Sequence, residues 1–268
     1  MKKSLLAVGA AVTLVIPAAA RATSSQVVVP RGAPVQIAFA DDLTGPLASS
    51  FGVSLANAVQ MAVDAHPAIR GFPIQVNLVD APCGDPDADV AAATSIVAND
   101  QNVGVLGQLC STGFDQALPV YQSADVVTIT GSATDPALPP FAPTVFDRTT
   151  VNDTCCPFVD QFDPWYSLVG TLPADLAWQQ AYSLRFGAPP TAFADLYYDA
   201  AGLLIQNLQR ISSIDGGRNL VVDRTALAQG VRSTTNYQGV SCRITLDPAS
   251  GNRLDDPTAL ARCASDAG

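Results

Sequence analysis

Residues 35–65 read VQIAFADDLTGPLASSFGVSLANAVQMAVDA, and this stretch decides the fold. Val35–Ala40 is a short apolar run with little polar alternation, the pattern of a strand covered on both faces. Asp41-Asp42-Leu43-Thr44-Gly45-Pro46 carries the punctuation of a loop. From Gly52 to Ala65, Leu55, Val59, Ala62 and Val63 recur at helical spacing. The cycle then repeats downstream. Pro73–Val79 reads as a strand. Asp85-Pro86 opens a helix with acids in its first turn and Val90, Ala93 and Val97 on one face. Val103–Leu106 is a short strand, Thr112–Ala124 a helix weakened by Pro119, and Val126–Thr130 a further strand. A βαβαβα order predicts an α/β fold with a doubly wound parallel sheet, and such sheets hold ligands in the crevice beyond the carboxyl ends of their strands.

The regularity breaks after Thr130. Pro136, Pro139, Pro140, Pro143, Pro157 and Pro164 crowd a segment that also holds Cys155-Cys156. Helical patterns return at Asp175–Phe186 and at Thr191–Ile211, where Leu196, Ala200, Leu203, Leu204 and Leu208 share a face. A short helix is expected over Thr225–Arg232 and a strand over Gly239–Leu246, with a polar tail from Asp255.

Composition excludes several chemistries. Of 268 residues, 48% are hydrophobic, and 24 acids stand against 14 cations for a formal charge of −10. Every acid is Asp, and the lysines are Lys2 and Lys3 alone. Such an acidic chain does not fit nucleic-acid binding, which needs clustered cations. Without a lysine beyond position 3 there is no Schiff-base lysine and no Walker-type phosphate loop. A single histidine, His66, leaves no multi-histidine zinc site, so no metal and no cofactor is expected.

Residues 1–22 read as a secretion signal: a Lys2-Lys3 start, an apolar run from Leu5 to Ile16, and Ala20-Arg21-Ala22 as a small-x-small cleavage site. The apolar run is too short to cross a bilayer, and membrane insertion is not expected. Removing residues 1–22, with Lys2, Lys3 and Arg21, leaves a formal charge of −13. Export to a periplasmic or extracellular compartment makes the even count of six cysteines a disulfide framework, for which fifteen pairings exist. Cys83–Cys110 is favoured because both cysteines follow strands that end on the same edge of a parallel sheet. Cys242–Cys263 is the second expected pair. Cys155 and Cys156 are left open among pairing with each other, pairing across chains and remaining reduced.

Binding chemistry concentrates at two loops. Ser111 follows the strand Val103–Leu106 where a helix begins, and Thr134 precedes Asp135-Pro136 at another turn start. Hydroxyls and unpaired N–H groups converging beyond neighbouring strands suit a carboxylate; the same residues also suit ordinary helix capping. Asp41 and Asp42 read either as an acid pair or as caps of the loop after the first strand. His66 sits at a helix end, where a cation is favourable. Trp165, Tyr166, Trp178, Tyr182, Tyr197 and Tyr198 form an aromatic set, expected chiefly to pack the late helices on the sheet.

The ordered pieces Leu43-Thr44-Gly45-Pro46, Gln60-Met61-Ala62-Val63-Asp64, Gly71-Phe72-Pro73-Ile74, Val79-Asp80-Ala81-Pro82-Cys83, Gly104-Val105-Leu106-Gly107, Cys110-Ser111, Thr128 through Pro136 and Val145 through Thr149 resemble the first lobe of a type I periplasmic solute-binding protein. The nearest group is the branched-chain amino acid (Leu/Ile/Val) binding proteins of ABC importers. Phe193 through Ala200 resembles the family's return helix, and Tyr237–Asp247 its closing strand. The resemblance implies an exported binder of an amino acid or similar small carboxylate that works with ABC permease subunits and is not an enzyme. It places Ser111, Ser132, Ala133 and Thr134 around the ligand's carboxylate and amine, and Phe51 against its side chain. One departure is large: Arg148 and Asp175 are too close in sequence for a second α/β lobe between them. The expected organisation is a signal peptide (1–22), a complete first lobe (23–150), a connector replacing most of the second lobe (151–174), returning helices (175–214), and a short helix, closing strand and loose tail (215–268). The alternative reading is a sensory or interaction module, or a non-transporting paralogue. A homodimer is the expected cover for the half-open crevice.

Overall fold

A computed structural model describes residues 25–138, 144–149 and 173–254. The signal-like residues 1–22, the Cys155-Cys156 pair, Trp165, Tyr166, Cys263 and the tail from Asp255 lie outside the described residues.

The centre is a six-stranded sheet in the order β3-β4-β2-β5-β6-β7. Its strands are β2 (Val35–Asp41), β3 (Ala68–Ile69), β4 (Phe72–Asp80), β5 (Asn102–Gly107), β6 (Thr128–Thr130) and β7 (Phe146–Arg148). All pairings are parallel except the short edge β3, which runs antiparallel to β4. Strand β2 lies between β4 and β5, with Val35 opposite Ile74 and Asp41 opposite Asp80. It is covered on both faces, which explains its continuous apolar run.

The pleat sorts its side chains. Ile37 and Phe39 enter one core with Leu55, Val59, Tyr197 and Leu204. Ala38 and Ala40 enter the other with Ala93, Phe114 and Leu118. The first core is roofed by α1 (Val53–Ala65), α4 (Pro173–Phe186) and α5 (Ala194–Ile211), the second by α2 (Pro86–Ala98) and α3 (Ser111–Ser123). Helices on both faces of a parallel sheet make the doubly wound arrangement that the sequence predicts.

Several boundaries moved for physical reasons. A π-helical turn over Ala48–Gly52 precedes α1. Helix α2 is capped by Asp85, whose carboxylate accepts the Ala88 N–H at 3.1 Å, with Pro86 opening the helix. Helix α3 runs through Pro119 to Ser123. Helix α5 starts at Ala194 rather than Thr191, because Phe193 turns into a left-handed backbone with φ +69°.

The expected strand Gly239–Leu246 is instead a hairpin, β10 (Tyr237–Gly239) with β11 (Cys242–Ile244). Asp199 of α5 explains the break. Its carboxylate accepts the N–H groups of Val240 and Ser241 at 2.8 and 2.9 Å and the Ser241 hydroxyl, so the backbone turns around it. Gly239 is required by this approach: a Cβ there would stand 2.2 Å from Asp199 Oδ2.

The short helix α6 (Arg224–Arg232) agrees with the pattern, whereas β1 (Gln26–Val29), β8 (Ser213–Ile214) and β9 (Leu220–Asp223) were not foreseen. They form a separate antiparallel sheet in the order β1-β9-β8. Cys83 and Cys110 are joined as expected, with Cα atoms 5.6 Å apart. Cys242 is also disulfide-bonded; Cys263, its expected partner, lies outside the described residues. Trp178, Tyr182 and Tyr197 are buried core residues, the expected role of the aromatic set. No helix among the described residues is long and apolar enough to cross a membrane.

Candidate ligand site

The carboxyl ends of β2, β4, β5 and β6 open into four loops, and two carboxylates, the buried Asp42 and the half-buried Asp80, organise the first two. Asp42 Oδ2 accepts the N–H groups of Leu47 and Cys83, each at 3.1 Å. Asp80 accepts Leu43 N–H at 2.9 Å, Thr44 N–H at 3.0 Å and the Thr44 hydroxyl. The loop after β2 is therefore tied to the loop after β4 by two acids acting on backbone donors. Asp42 caps the loop, as one of the two sequence readings has it.

Asp41 accepts the Asp42 N–H at 2.8 Å and is fully buried. Burial pushes its carboxyl up to about 7, with the neighbouring carboxylates Asp42 and Asp89 adding to the rise and hydrogen bonds from Asp42 and Tyr197 opposing it. Asp89 is also raised to about 7, by burial and then by the charges of Asp85 and Asp42. Among the described residues no group of three or more His, Cys, Asp or Glu side chains is arranged to hold a metal.

The third and fourth loops carry the hydroxyls. Cys110 precedes α3 without a side-chain cap, so the first N–H groups of the helix are not claimed by its own neighbour. Ser111, the first helical residue, accepts the Asp135 N–H on its hydroxyl at 3.3 Å. This contact brings the start of α3 beside the Thr134-Asp135 loop. Ser111 and Thr134 are both half-buried at the rim. Because the Ser111 oxygen accepts from Asp135, its own hydrogen is available to an incoming acceptor.

Ser132 and Ala133 face inward. Their N–H groups both donate to the Thr130 hydroxyl, at 3.2 and 3.0 Å. The Ser132 hydroxyl donates to the Leu109 carbonyl at 3.0 Å and meets the Tyr197 hydroxyl at 3.0 Å. These donors are engaged in shaping the loop, since a threonine at a strand end competes for the next backbone amides. Phe51 is half-buried at the core margin, its ring centroid 6.3 Å from that of Phe193. His66 lies exposed at the end of α1, away from these loops.

Two residues that sequence reasoning missed hold this rim. Arg148, fully buried on β7, donates through Nη1 to the carbonyls of Ala133 and Asp135, at 2.9 and 3.0 Å, and through Nε to Asn252 at 2.8 Å. It clamps both sides of Thr134. Tyr197 of α5 reaches under the β6 loop to Ser132, and Gly131 admits it: a Cβ there would be 2.7 Å from the Tyr197 ring.

Comparison with known proteins gives the arrangement its context. Residues 34–159 match the family model described as periplasmic binding protein. The Leu/Ile/Val-binding protein of Escherichia coli K12 is 31% identical over 122 residues, a region of 45% of this chain and 33% of that protein. The leucine-, isoleucine-, valine-, threonine- and alanine-binding protein of Pseudomonas aeruginosa is 32% identical over 106 residues, or 39% of this chain and 28% of its own length. The chain thus matches about one third of the length of these relatives. The leucine-binding protein LivK of Thermotoga maritima superposes with a TM-score of 0.65 at 14% identity, over 82% of this chain and 93% of that one. The branched-chain amino acid transporter substrate-binding protein LivJ of Streptococcus pneumoniae, solved with isoleucine, gives 0.66 at 13% identity, over 83% and 94%. The chain thus shares the fold of these solved solute-binding proteins over more than four fifths of its length, and residues 34–159 are similar in sequence to the periplasmic binding protein family.

Proposed function

We propose that the chain is an exported solute-binding component of an ABC importer, and that it takes an amino acid of branched-chain type or a similar small carboxylate. The observation that carries this reading is the hydrogen bond between Ser111 and the Asp135 amide, which sets a free hydroxyl hydrogen, the open N-terminus of α3 and Thr134 at one point of the rim. Ser111, Thr134 and the first-turn N–H groups of α3 bind the ligand carboxylate, where the helix N-terminus favours negative charge. Ser132 and Ala133 contribute indirectly, by fixing the loop. Phe51 lines the side-chain end. ABC permease subunits are the partner, and residues 1–22 direct export and are removed from the mature protein.

A second reading has one specific support. Only residues 149–172 separate β7 from α4, and the sequence match covers a third of the relatives. A module that keeps the first lobe for sensing or interaction, without transport, fits that economy. Thermal-shift and calorimetric titration of residues 23–268 with L-leucine, L-isoleucine and L-valine separates the two. Saturable stabilisation approaching about 2.7 kcal/mol at a hundredfold excess over Kd supports the binder. No stabilisation by any of them, or by other small carboxylates, favours the second reading.

A further inference from the structure

Three arginines from three separate turns meet at the end of the sheet opposite the crevice. Arg31 lies in the turn between β1 and β2, Arg70 between β3 and β4, and Arg218 between β8 and β9. With Gly32, Gly71, Phe72 and Ile214 they line a hollow of about 420 Å³. Phe72 begins β4 and Asp80 ends it, so the hollow and the crevice loops stand roughly 30 Å apart along a nine-residue strand.

The turns are built around these side chains at some backbone cost. Arg70 and Arg218 both adopt left-handed backbone, with φ +48° and +63°, a region where glycine or asparagine is easier to place. The Arg31 N–H donates to Asn219 Oδ1 at 3.3 Å, which couples the first turn to the third. All three side chains are exposed, and among the described residues none has a carboxylate within ion-pair distance, the two ion pairs being Arg185–Asp64 and Arg232–Asp147. Asp215, in the same turn as Arg218, is taken up by Asn219, whose N–H and Nδ2 it accepts at 2.8 and 3.0 Å. Arg70 donates to Ser212 Oγ at 3.2 Å and the Gln209 carbonyl at 3.0 Å, which anchors it and leaves further donors for the hollow.

We propose that Arg31, Arg70 and Arg218 form an anion site for a phosphate group, separate from the solute crevice. A guanidinium presents paired N–H donors that match phosphate oxygens. A carboxylate is satisfied by one such fork, whereas a phosphate has acceptor oxygens enough for three. The rest of the chain is acidic, so a cluster of three unpaired cations is a local reversal of its field. Phe72 and Ile214 add an apolar floor beside the charge.

The phosphate has two sources, a soluble phosphate or the headgroup of an anionic lipid, and the test carries an arm for each. The unaltered chain is titrated calorimetrically with inorganic phosphate at low ionic strength, and floated with vesicles of phosphatidylglycerol in phosphatidylcholine. The same is done with the Arg31→Gln/Arg218→Gln variant, whose exchanged side chains make no hydrogen bond within the described residues and whose melting curve checks its fold. Saturable binding in either arm that falls tenfold or more in the variant supports the site and names its source. Binding of equal strength in the variant overturns it. So does the lack of saturation at roughly 10 mM phosphate together with no flotation. The variant leaves Ser111 and Thr134 untouched, so titration with L-leucine reads the crevice independently.

Discussion

Two hydroxyls stand at the rim, Ser111 at the start of α3 and Thr134 on the loop after β6, and side chains distant in the sequence hold the loops that carry them. The Thr130 hydroxyl takes the amides of Ser132 and Ala133, and Arg148 reaches the carbonyls beside Thr134 from the neighbouring strand. Apart from the Ser111–Asp135 contact, the rim loops are therefore held by groups other than these two hydroxyls. Replacing Ser111 and Thr134 together with Ala should weaken binding of the amino acid by about 1.5–3 kcal/mol per lost charge-assisted bond, with a urea midpoint close to the parent. Unchanged affinity with a loss of about 1 kcal/mol of stability per residue would mean that they only cap. Asp41 carries a second prediction. Its carboxyl titrates near 3.8 in the unfolded chain and about 7 in the folded one, where burial disfavours its charge. Between those values the native state holds a proton that the unfolded state has released. Its contribution to stability therefore declines as pH rises from about 4 to about 7 and is flat above that, by about 1.4 kcal/mol per pH unit. Asp41→Asn keeps an acceptor for the Asp42 amide and removes the titration. Urea unfolding at pH 5 and pH 7 should show the parent losing more stability than the variant across that interval; parallel profiles would refute the assignment.

Elements with a local period were read almost to the residue. The strand expected over Val35–Ala40 is Val35–Asp41, and the helix expected over Thr225–Arg232 is Arg224–Arg232. Those that form only through distant partners were missed. Gln26–Val29 is a strand because Leu220–Asp223 pairs with it, and the hairpin at Tyr237–Ile244 bends because Asp199 captures its turn. The Cys83–Cys110 disulfide shows how an element-level link reaches the site. Both cysteines follow strands of one parallel sheet, and Cys110 immediately precedes α3 and Ser111. Cutting the bond frees the start of α3 from the loop that Asp42 organises. The double variant Cys83→Ser/Cys110→Ser should lose about 3.5 kcal/mol of stability, the chain-entropy value for a loop of this size. It should also bind its ligand more weakly than that loss alone explains under conditions where it is folded. Peptide mapping of the unreduced parent should recover the two peptides joined; free thiols at both positions after export would contradict the structure.

A clamshell binder closes two lobes over its ligand, whereas the core of the described residues gathers around one six-stranded, mostly parallel sheet and its covering helices, with the small β1-β9-β8 sheet and the β10-β11 hairpin packed onto it. The four loops of the crevice come from β2, β4, β5 and β6, all on the same side of the ligand position. On the proposed reading, carboxylate contacts at Ser111 and Thr134 made from one wall would stay open to water, which weakens each of them. A leucine-sized side chain left half exposed forgoes about a further 1 kcal/mol. Each tenfold in Kd is 1.4 kcal/mol, so together with the loss of most of two charge-assisted bonds worth about 1.5–3 kcal/mol each this moves a tight binder by several decades. The monomer should therefore bind branched-chain amino acids no more tightly than the high micromolar range, roughly −5 to −6 kcal/mol. A second copy of the chain covering the crevice would supply a second wall, and affinity would then rise with protein concentration. Calorimetric titration at two protein concentrations, beside sedimentation velocity with and without reductant, distinguishes the cases. Weak binding by a monomer agrees with the single wall, and tighter binding that tracks a dimer agrees with a second chain as cover. Submicromolar affinity from a strict monomer would show that the crevice is already closed by this chain's own residues, and the one-walled account of the site would fall.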